Sequence, residues 1–304
     1  MGVKTRVVTY APAHDQAEAA ARAAFERIAA LDACMSDYRP SSELSQLSNH
    51  KPGEAVPISR DLLVVLLSGR EVSEVSNGAF DVTVGPLVSL WREARKTHQL
   101  PDPEKLKQAM QSVGWKKLAI DPRASTVTML APNMRLDLGG IAKGYAAEQA
   151  VETLRSMGQN HCLVALAGDI CVGAAPPGED GWRIDLPPPR AANAPPRHRT
   201  LLLTNASVST SGDSEQSVEI NGTRYSHIVD PRTGLGAVSS AQATIIGVRG
   251  DMVDAAATAI SLTGVIDGPD VARQLGLSSI VSGRRGALSV QWISDDSSLV
   301  KWAD

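Results

Sequence analysis

Two features in the last third of the chain combine residue types and spacings that could do chemistry. Asp254 and Thr258 lie four residues apart in a predicted helix, so their oxygens project from one exposed face and could bind the same hard cation. In the alternative interpretation, Asp251 caps this helix, Asp254 supports the cap and Thr258 has no role. His227 could act as a general base or be a hydrogen-bonded structural group. The residues alone leave both questions open.

A third feature is the stretch 135–158, which changes its periodicity at Gly139 and Gly140. Leucines alternate with polar residues at 135–138, and apolar residues recur at helical spacing after the glycines, so we predict a strand, a tight turn and a helix. Glycines let a backbone approach a ligand, a helix N-terminus favours phosphate, and Lys143 adds a positive charge. The alternative is an ordinary strand-to-helix turn with an exposed lysine.

Three further segments could contribute to a binding site. Tyr38 lies in a polar loop and is either a stacking surface for a ligand or a ring packed back on the core. Asp81 lies in a strand-like apolar segment before a Gly-Pro turn, where it faces solvent or the edge of a site. Residues 207–216 are rich in hydroxyl side chains, and we predict a loop that donates hydrogen bonds to a polar ligand.

Helices and strands must position these groups, and periodicity places most of them. Ser42 is predicted to cap a short helix that carries Leu44 and Leu47. Apolar periodicity predicts helices at 15–35, 60–75, 86–91, 103–113 and 251–262, and strands at 3–10, 117–120, 126–130, 162–167, 170–174, 181–186, 200–206, 224–229, 243–248, 279–282 and 287–293. The Pro-rich basic segment 187–199 is predicted to be a long surface loop or a connector between two lobes.

Composition limits the class of protein. The chain has 304 residues, 43% hydrophobic and 21% charged, as is typical of a globular protein with one large domain, or two lobes joined near 187–199. A net charge of −3 and a pI near 6.1 give no basic surface for nucleic acid. We expect no transmembrane segment, because no apolar run approaches about 20 residues. Three cysteines without metal-ligand spacing favour neither a zinc site nor a disulfide framework.

Motifs along the chain resemble, in their order, those of the ApbE family of FAD:protein FMN transferases. They cover residues 1 to about 264 and read MGV, SDYRPSSELSQL, GAFDVTVGPLVSLW, RLDLGGIAKGYA, LVALAGDI, STSGD, RYSHIVDPRTG and DAAAT. The resemblance implies an α+β fold, ApbE-like and related to the T-fold, with mixed sheets and flanking helices around a FAD-binding groove. The resemblance implies that residues 1–304 form a single flavin transferase domain, which could still consist of two lobes joined near 187–199.

The resemblance also assigns roles to residues. It places His227 next to the reacting flavin phosphate as the catalytic residue, and it implies Mg²⁺ held by the carbonyl of Gly140 with Asp254 and Thr258. The positions that correspond to FAD contacts in the family are Met1, Tyr38, Ala79, Phe80, Asp81, Asp137, Lys143 and Ile228.

The implied reaction is Mg²⁺-dependent transfer of FMN from FAD to a Ser or Thr hydroxyl of a target flavoprotein, with release of AMP. The alternatives are hydrolysis of FAD to FMN and AMP, and a non-catalytic FAD-binding protein. The resemblance implies an acceptor such as a membrane redox-complex subunit, and a periplasmic location as a lipoprotein. The sequence begins at the family's first motif, so a cytoplasmic location stays an alternative.

Overall fold

The computed structural model describes residues 2–188, 199–212, 217–238, 241–285, 288–294 and 299–303. The helices are α1 His14–Met35, α2 Glu43–Leu47, α3 Arg60–Val75, α4 Gly85–Thr97, α5 Pro103–Gln111, α6 Ala142–Ser156 and α7 Gly250–Gln274. The strands are β1 Thr5–Thr9, β2 Ala55–Pro57, β3 Leu118–Asp121, β4 Thr126–Met129, β5 Cys162–Leu166, β6 Asp169–Val172, β7 Trp182–Leu186, β8 Arg199–Leu203, β9 Ala206–Ser211, β10 Ser217–Ile220, β11 Thr223–Ser226, β12 Gln242–Gly247, β13 Ser278–Arg285, β14 Leu288–Ser294 and β15 Lys301–Ala303.

A seven-stranded sheet forms the centre of the described chain, with the order β1-β5-β6-β9-β12-β13-β14 and antiparallel pairing. Helices α6 and α7 pack on one face, and the sheet β15-β8-β7 packs on the other. Because neighbouring side chains of a strand point to opposite faces, Ile245 joins the helix side while Ile246 joins the small-sheet side. This arrangement is an α+β fold, as predicted.

Most predicted helices are confirmed within a few residues of their ends. The Ser42 cap is confirmed, since its side chain accepts a hydrogen bond from Ser45 N. Helix α7 extends well beyond the predicted end at residue 262, with a break at Gly264, whose φ of 80° lies in the left-handed region that glycine tolerates. The predicted strand at 135–138 is wrong: Arg135 forms an isolated bridge with Val84, and the rest of the segment is extended outside any sheet, with Asp137 N donating to Val82 O.

The segment that was predicted to be a loop or lobe connector joins β7 to β8, which pair with each other in one sheet. Its residues 189–198 lie outside the described part of the chain. Among the described residues, no helix is long and apolar enough to cross a membrane.

All three cysteines are unpaired thiols in elements of the fold. Cys162 and Cys171 are buried on β5 and β6, and Cys34 is half-buried near the end of α1. Burial raises the pKa of Cys34 to about 12, helped by the carboxylate of Glu43, and raises that of Cys162 to about 11. Burial also raises the pKa of Cys171.

Candidate active site

A buried cluster of three charged side chains lies where α6 and α7 meet the central sheet. Lys143 Nζ lies 2.6 Å from Asp169 Oδ2 and 3.3 Å from Asp254 Oδ1. Asp254 is 1% exposed, and its Oδ2 also accepts a hydrogen bond of 3.0 Å from Gly144 N. Lys143 keeps 26% of its side chain exposed, so the cluster opens to solvent on one side.

This cluster holds two carboxylates and one ammonium, so it buries one excess negative charge. Burial and the nearby Asp169 raise the pKa of Asp254 to about 7, although Lys143 acts in the opposite direction. Burial lowers the pKa of Lys143, but the two carboxylates outweigh that effect and raise it above its ordinary value. The excess negative charge would therefore attract a further cation to the cluster. The ammonium of Lys143 already lies beside Asp254 as one such cation.

Gly140 lies directly against Thr258, next to this cluster. A Cβ at Gly140 would lie 2.9 Å from Thr258 Oγ1 and 3.3 Å from Phe80 Cε2, so only glycine lets the backbone come this close. Thr258 and Asp254 share a face of α7, one turn apart. A backbone carbonyl, a hydroxyl and a carboxylate are oxygen ligands of the kind that Mg²⁺ takes, so the predicted set fits this ion.

The set contains a single carboxylate. Among the described residues, no group of three His, Cys, Asp or Glu side chains is placed to hold a metal ion. Mg²⁺ commonly keeps water ligands and binds substrate phosphates, so substrate oxygens would have to complete the coordination here.

A close crossing of α6 and α7 creates the site. The helices touch at Gly144 and Gly250, where a Cβ on either glycine would overlap the carbonyl oxygen of the other. The contact brings Gly144 N to the carboxylate of Asp254. The helix-cap interpretation of Asp254 is therefore wrong: no side chain caps α7, and Asp251 binds Ser68 and Arg249 instead. The expected exposed face is also wrong, because Asp254 is buried.

Serines of β9 line the same site. Residues 207–211 form the strand β9 rather than the predicted loop, and residues 213–216 of that predicted loop lie outside the described chain. Ser209 Oγ donates to Asp169 Oδ1 at 2.5 Å, and Ser211 Oγ lies 3.4 Å from Thr258 Oγ1. Alternating serines along a strand share one face, so their period of two was the signal for this strand.

Asp81 holds the turn that carries Ala79 and Phe80. Its Oδ1 accepts hydrogen bonds from the backbone and hydroxyl of Thr83, and its Oδ2 accepts one from Trp115 N. Burial raises the pKa of Asp81, although these hydrogen bonds act against the rise. The segment is a turn and not the predicted strand, because the carboxylate binds the backbone two residues ahead.

Arg92 of α4 joins Tyr38 to Asp137. The guanidinium lies 4.3 Å from the ring centroid of Tyr38, and its Nη2 is 3.4 Å from Asp137 Oδ2. Tyr38 is 75% exposed, so it does not pack back on the core. Burial and the charge of Asp37 raise the pKa of Asp137, while Gly139 N donates to its Oδ1 at 2.8 Å.

His227 lies on a separate arm, just past the end of β11. The predicted strand at 224–229 ends at Ser226, since Ile228 N turns back to bind Ser226 Oγ. Trp91 of α4 holds this arm by donating from Nε1 to Ser226 O at 3.0 Å. On its far side, Arg232 pairs with Asp230 and donates to Leu262 O of α7, close to Thr258 in the helix.

The structure thus brings Phe80, Gly140, Lys143, Asp254 and Thr258 together, and ties Tyr38 to Asp137 through Arg92. Met1 lies outside the described residues. Two contributors were not predicted, Asp169 and Arg92, whereas Ser209 belongs to the segment 207–216 whose hydroxyl groups were expected at a binding site. Asp169 was visible as the acid of LVALAGDI, whereas Arg92 has partners 55 and 45 residues away and leaves no local pattern.

Comparison with known proteins shows the family of this chain. The profile of the ApbE family matches residues 1–281. A protein of Haemophilus influenzae named FAD:protein FMN transferase is 31% identical over 209 residues, which span 67% of this chain and 60% of that protein. A protein of Treponema pallidum with the same name is 30% identical over 275 residues, or 86% of this chain and 75% of that protein.

Two solved structures have similar folds. Flavin transferase ApbE from Vibrio cholerae superimposes with a TM-score of 0.85 at 26% identity, covering 97% of this chain and 94% of that one. The apo form of the flavinyl transferase ApbE from Pseudomonas stutzeri gives a TM-score of 0.81 at 25% identity, covering 96% and 95%.

Proposed function

Because the chain belongs to the ApbE family, we propose that it transfers FMN from FAD to a Ser or Thr hydroxyl of another protein and releases AMP. The observation that carries the proposal is the buried cluster of Lys143, Asp169 and Asp254 beside the close contact of Gly140 with Thr258. Such a site suits a pyrophosphate that binds together with Mg²⁺, because the excess negative charge attracts the cation and the turn without side chains lets phosphate oxygens approach.

In the proposed reaction, the acceptor hydroxyl attacks the phosphorus on the FMN side of the pyrophosphate. A new P–O bond forms, the bridging P–O bond breaks, and AMP leaves with the electron pair. Phosphoryl transfer depends mainly on positioning and charge neutralisation. The two carboxylates of the cluster offset the charge of Lys143, so neutralisation of the pyrophosphate would need the cation that the excess negative charge attracts. Mg²⁺ held by Gly140, Asp254 and Thr258 would neutralise charge on phosphate oxygens when bound.

His227 is proposed to take the proton of the attacking hydroxyl. Hydrogen bonds from Trp91 and Arg232 hold its arm to α4 and α7, which supports this role. Asp230 is a poorer candidate for this base, because its carboxylate is already bound by the Arg232 guanidinium and backbone.

One chromatographic experiment tests the function. The protein is incubated with FAD and Mg²⁺, with and without a candidate flavoprotein, and the products are separated and weighed by mass spectrometry. Transfer predicts AMP together with an acceptor that gains the mass of FMN. Free FMN and AMP without a modified acceptor would indicate hydrolysis, and intact FAD in every sample would leave only FAD binding.

We further propose, from the family resemblance, that the acceptor is a membrane redox-complex subunit and that the protein works in the periplasm as a lipoprotein. The reading frame upstream of the present sequence and fractionation of a tagged full-length protein test this location. Recovery of the protein with the cytoplasmic fraction would contradict it.

A further inference from the structure

An exposed aromatic ring at the surface of the described chain has an arginine over one of its faces. Tyr38 follows α1 and is 75% exposed, and the guanidinium of Arg92 lies 4.3 Å from its ring centroid. A guanidinium is planar and stacks on aromatic faces. The ring therefore has one face on Arg92 and presents its remaining surface to solvent.

Arg92 itself is fixed by two carboxylates from separate parts of the chain. Its Nη1 donates to Asp37 Oδ2 at 2.6 Å, and its Nη2 to Asp137 Oδ2 at 3.4 Å. Asp37 precedes Tyr38, whereas Asp137 precedes the Gly-Gly turn that leads into α6. The plane of the guanidinium, and with it the orientation of the ring, is thus set by contacts on both sides of α4.

We propose that Arg92 is a positioning residue that holds Tyr38 in one orientation as a stacking surface for a planar ring of FAD and links this surface to Asp137. The inference rests on the proposed function, since FAD is the ligand. A stacking surface that is oriented before binding loses less side-chain entropy when the ligand arrives. Without Arg92, the tyrosine in its exposed loop would have to be ordered by FAD itself.

The first test is a fluorescence titration of FAD against single variants. Arg92→Met should weaken FAD binding roughly 3- to 10-fold, the size expected of a lost cation–π contact and its hydrogen bonds. Lys96→Met removes a positive charge from the exposed side of the same helix and should leave affinity unchanged. Equal affinities for wild type, Arg92→Met and Lys96→Met would overturn the proposal.

Arg92→Lys separates positioning from simple charge. It keeps a positive charge beside Asp37 and Asp137 but loses the planar fork, so it should bind FAD as weakly as Arg92→Met. It also serves as the test if Arg92→Met does not fold. Wild-type affinity in Arg92→Lys would show that charge alone matters and would contradict the inference.

A double-mutant cycle tests whether Arg92 acts through the ring. In a Tyr38→Ala background, the further change Arg92→Met should cost little additional affinity. An undiminished effect would mean that Arg92 acts on FAD without Tyr38. Riboflavin and AMP, titrated separately, identify whether the flavin or the adenine ring loses affinity in the single variants.

A measurement without FAD separates this inference from the proposed function. The chain has four tyrosines, so fluorotyrosine labelling gives four ¹⁹F resonances, of which the one absent in Tyr38→Phe belongs to Tyr38. Arg92→Met should shift and narrow this resonance in the ligand-free protein. If the resonance responds while wild type fails to bind FAD, the proposed function fails but the positioning of Tyr38 stands. An unchanged resonance would overturn the positioning.

Discussion

At the scale of single residues, a substitution of His227 should change the rate of transfer without changing the affinity for FAD. If its imidazole accepts the proton of the attacking hydroxyl, His227→Ala should slow transfer roughly 10²- to 10⁴-fold, the contribution typical of a general base. FAD affinity should change little, because the proposed pyrophosphate contacts lie on the Gly-Gly turn, α6 and α7. Single-turnover release of AMP and a FAD titration measure the two effects.

The matched control is His14→Ala, which removes an exposed histidine at the start of α1. It should leave both quantities at the wild-type level. Loss of FAD binding in His227→Ala, with normal transfer at saturating FAD, would make His227 a binding residue.

Asp254 predicts a pH dependence of stability in the ligand-free protein. Its folded-state pKa of about 7 lies above the ordinary value of 3.8, because burial and Asp169 disfavour its charge. Between these pH values the folded state keeps a proton that the unfolded state has released, so this residue lowers the free energy of unfolding as pH rises. Below 3.8 both states are protonated, and the penalty is absent.

Asp254→Asn should remove this contribution. Urea unfolding is measured at about pH 5 and at about pH 8. Between these two pH values, the free energy of unfolding should fall more in wild type than in the variant. Asp270→Asn, an exposed carboxylate near the end of α7, is the control and should follow wild type. Identical pH dependence in wild type and Asp254→Asn would contradict the prediction.

At the scale of elements, the crossing of α6 and α7 depends on two glycines. Gly144→Ala gains up to about 1 kcal/mol of helix propensity. The added Cβ would overlap Gly250 O, and overpacking typically costs about 1–3 kcal/mol, with the upper end expected against a backbone, so overpacking should dominate. We expect thermal unfolding at a clearly lower temperature, together with weaker Mg²⁺ binding because Asp254 is displaced.

Gly168→Ala is the control for this change. A Cβ there would lie 3.6 Å from its nearest neighbour, Thr210 O, which is ordinary contact. Its melting temperature should stay near that of wild type. A Gly144→Ala protein as stable as the control would show that the crossing tolerates a side chain.

Elements with strong apolar periodicity could be predicted from the sequence, whereas two polar segments at the site could not. Helices α1 and α3 follow from regular apolar spacing, and Ser59 caps α3. Strand β9 looked like a loop because serine and threonine, which line the site, replace its apolar residues. The segment at 136–138 looked like a strand because it alternates, but its hydrogen bonds go to a turn.

The same limit applies to the candidate site. Residues of the Gly-Gly turn and α7 could be predicted because local motifs carry them. The burial of Asp254 could not, since it results from a crossing of two helices about 110 residues apart. Arg92 could not either, because an arginine on the polar face of a helix usually faces solvent.

At the scale of the whole molecule, α4 connects two parts of the proposed active site through consecutive residues. Trp91 holds the His227 arm, and Arg92 holds Tyr38 and Asp137. Trp91→Phe keeps most of the ring but leaves Ser226 O without its buried donor. This loss should lower the free energy of unfolding by about 1–3 kcal/mol. We expect this variant to slow transfer more than it weakens FAD binding, whereas Arg92→Met should do the reverse.

Rates of AMP release at saturating FAD, compared with FAD affinities, measure this difference. The matched control for Arg92→Met is Lys96→Met. The matched control for Trp91→Phe is Trp115→Phe, because Trp115 lies outside the core cluster that contains Trp91. Equal losses of rate and affinity in both α4 variants would mean that the helix acts as one rigid support.

The three thiols have a practical consequence for following the protein at work. A maleimide or iodoacetamide reacts with thiolate, and burial keeps Cys34, Cys162 and Cys171 protonated near neutral pH. A single cysteine introduced at an exposed position such as Lys96 would therefore react ahead of all three. A fluorophore could be attached there without removing any native cysteine.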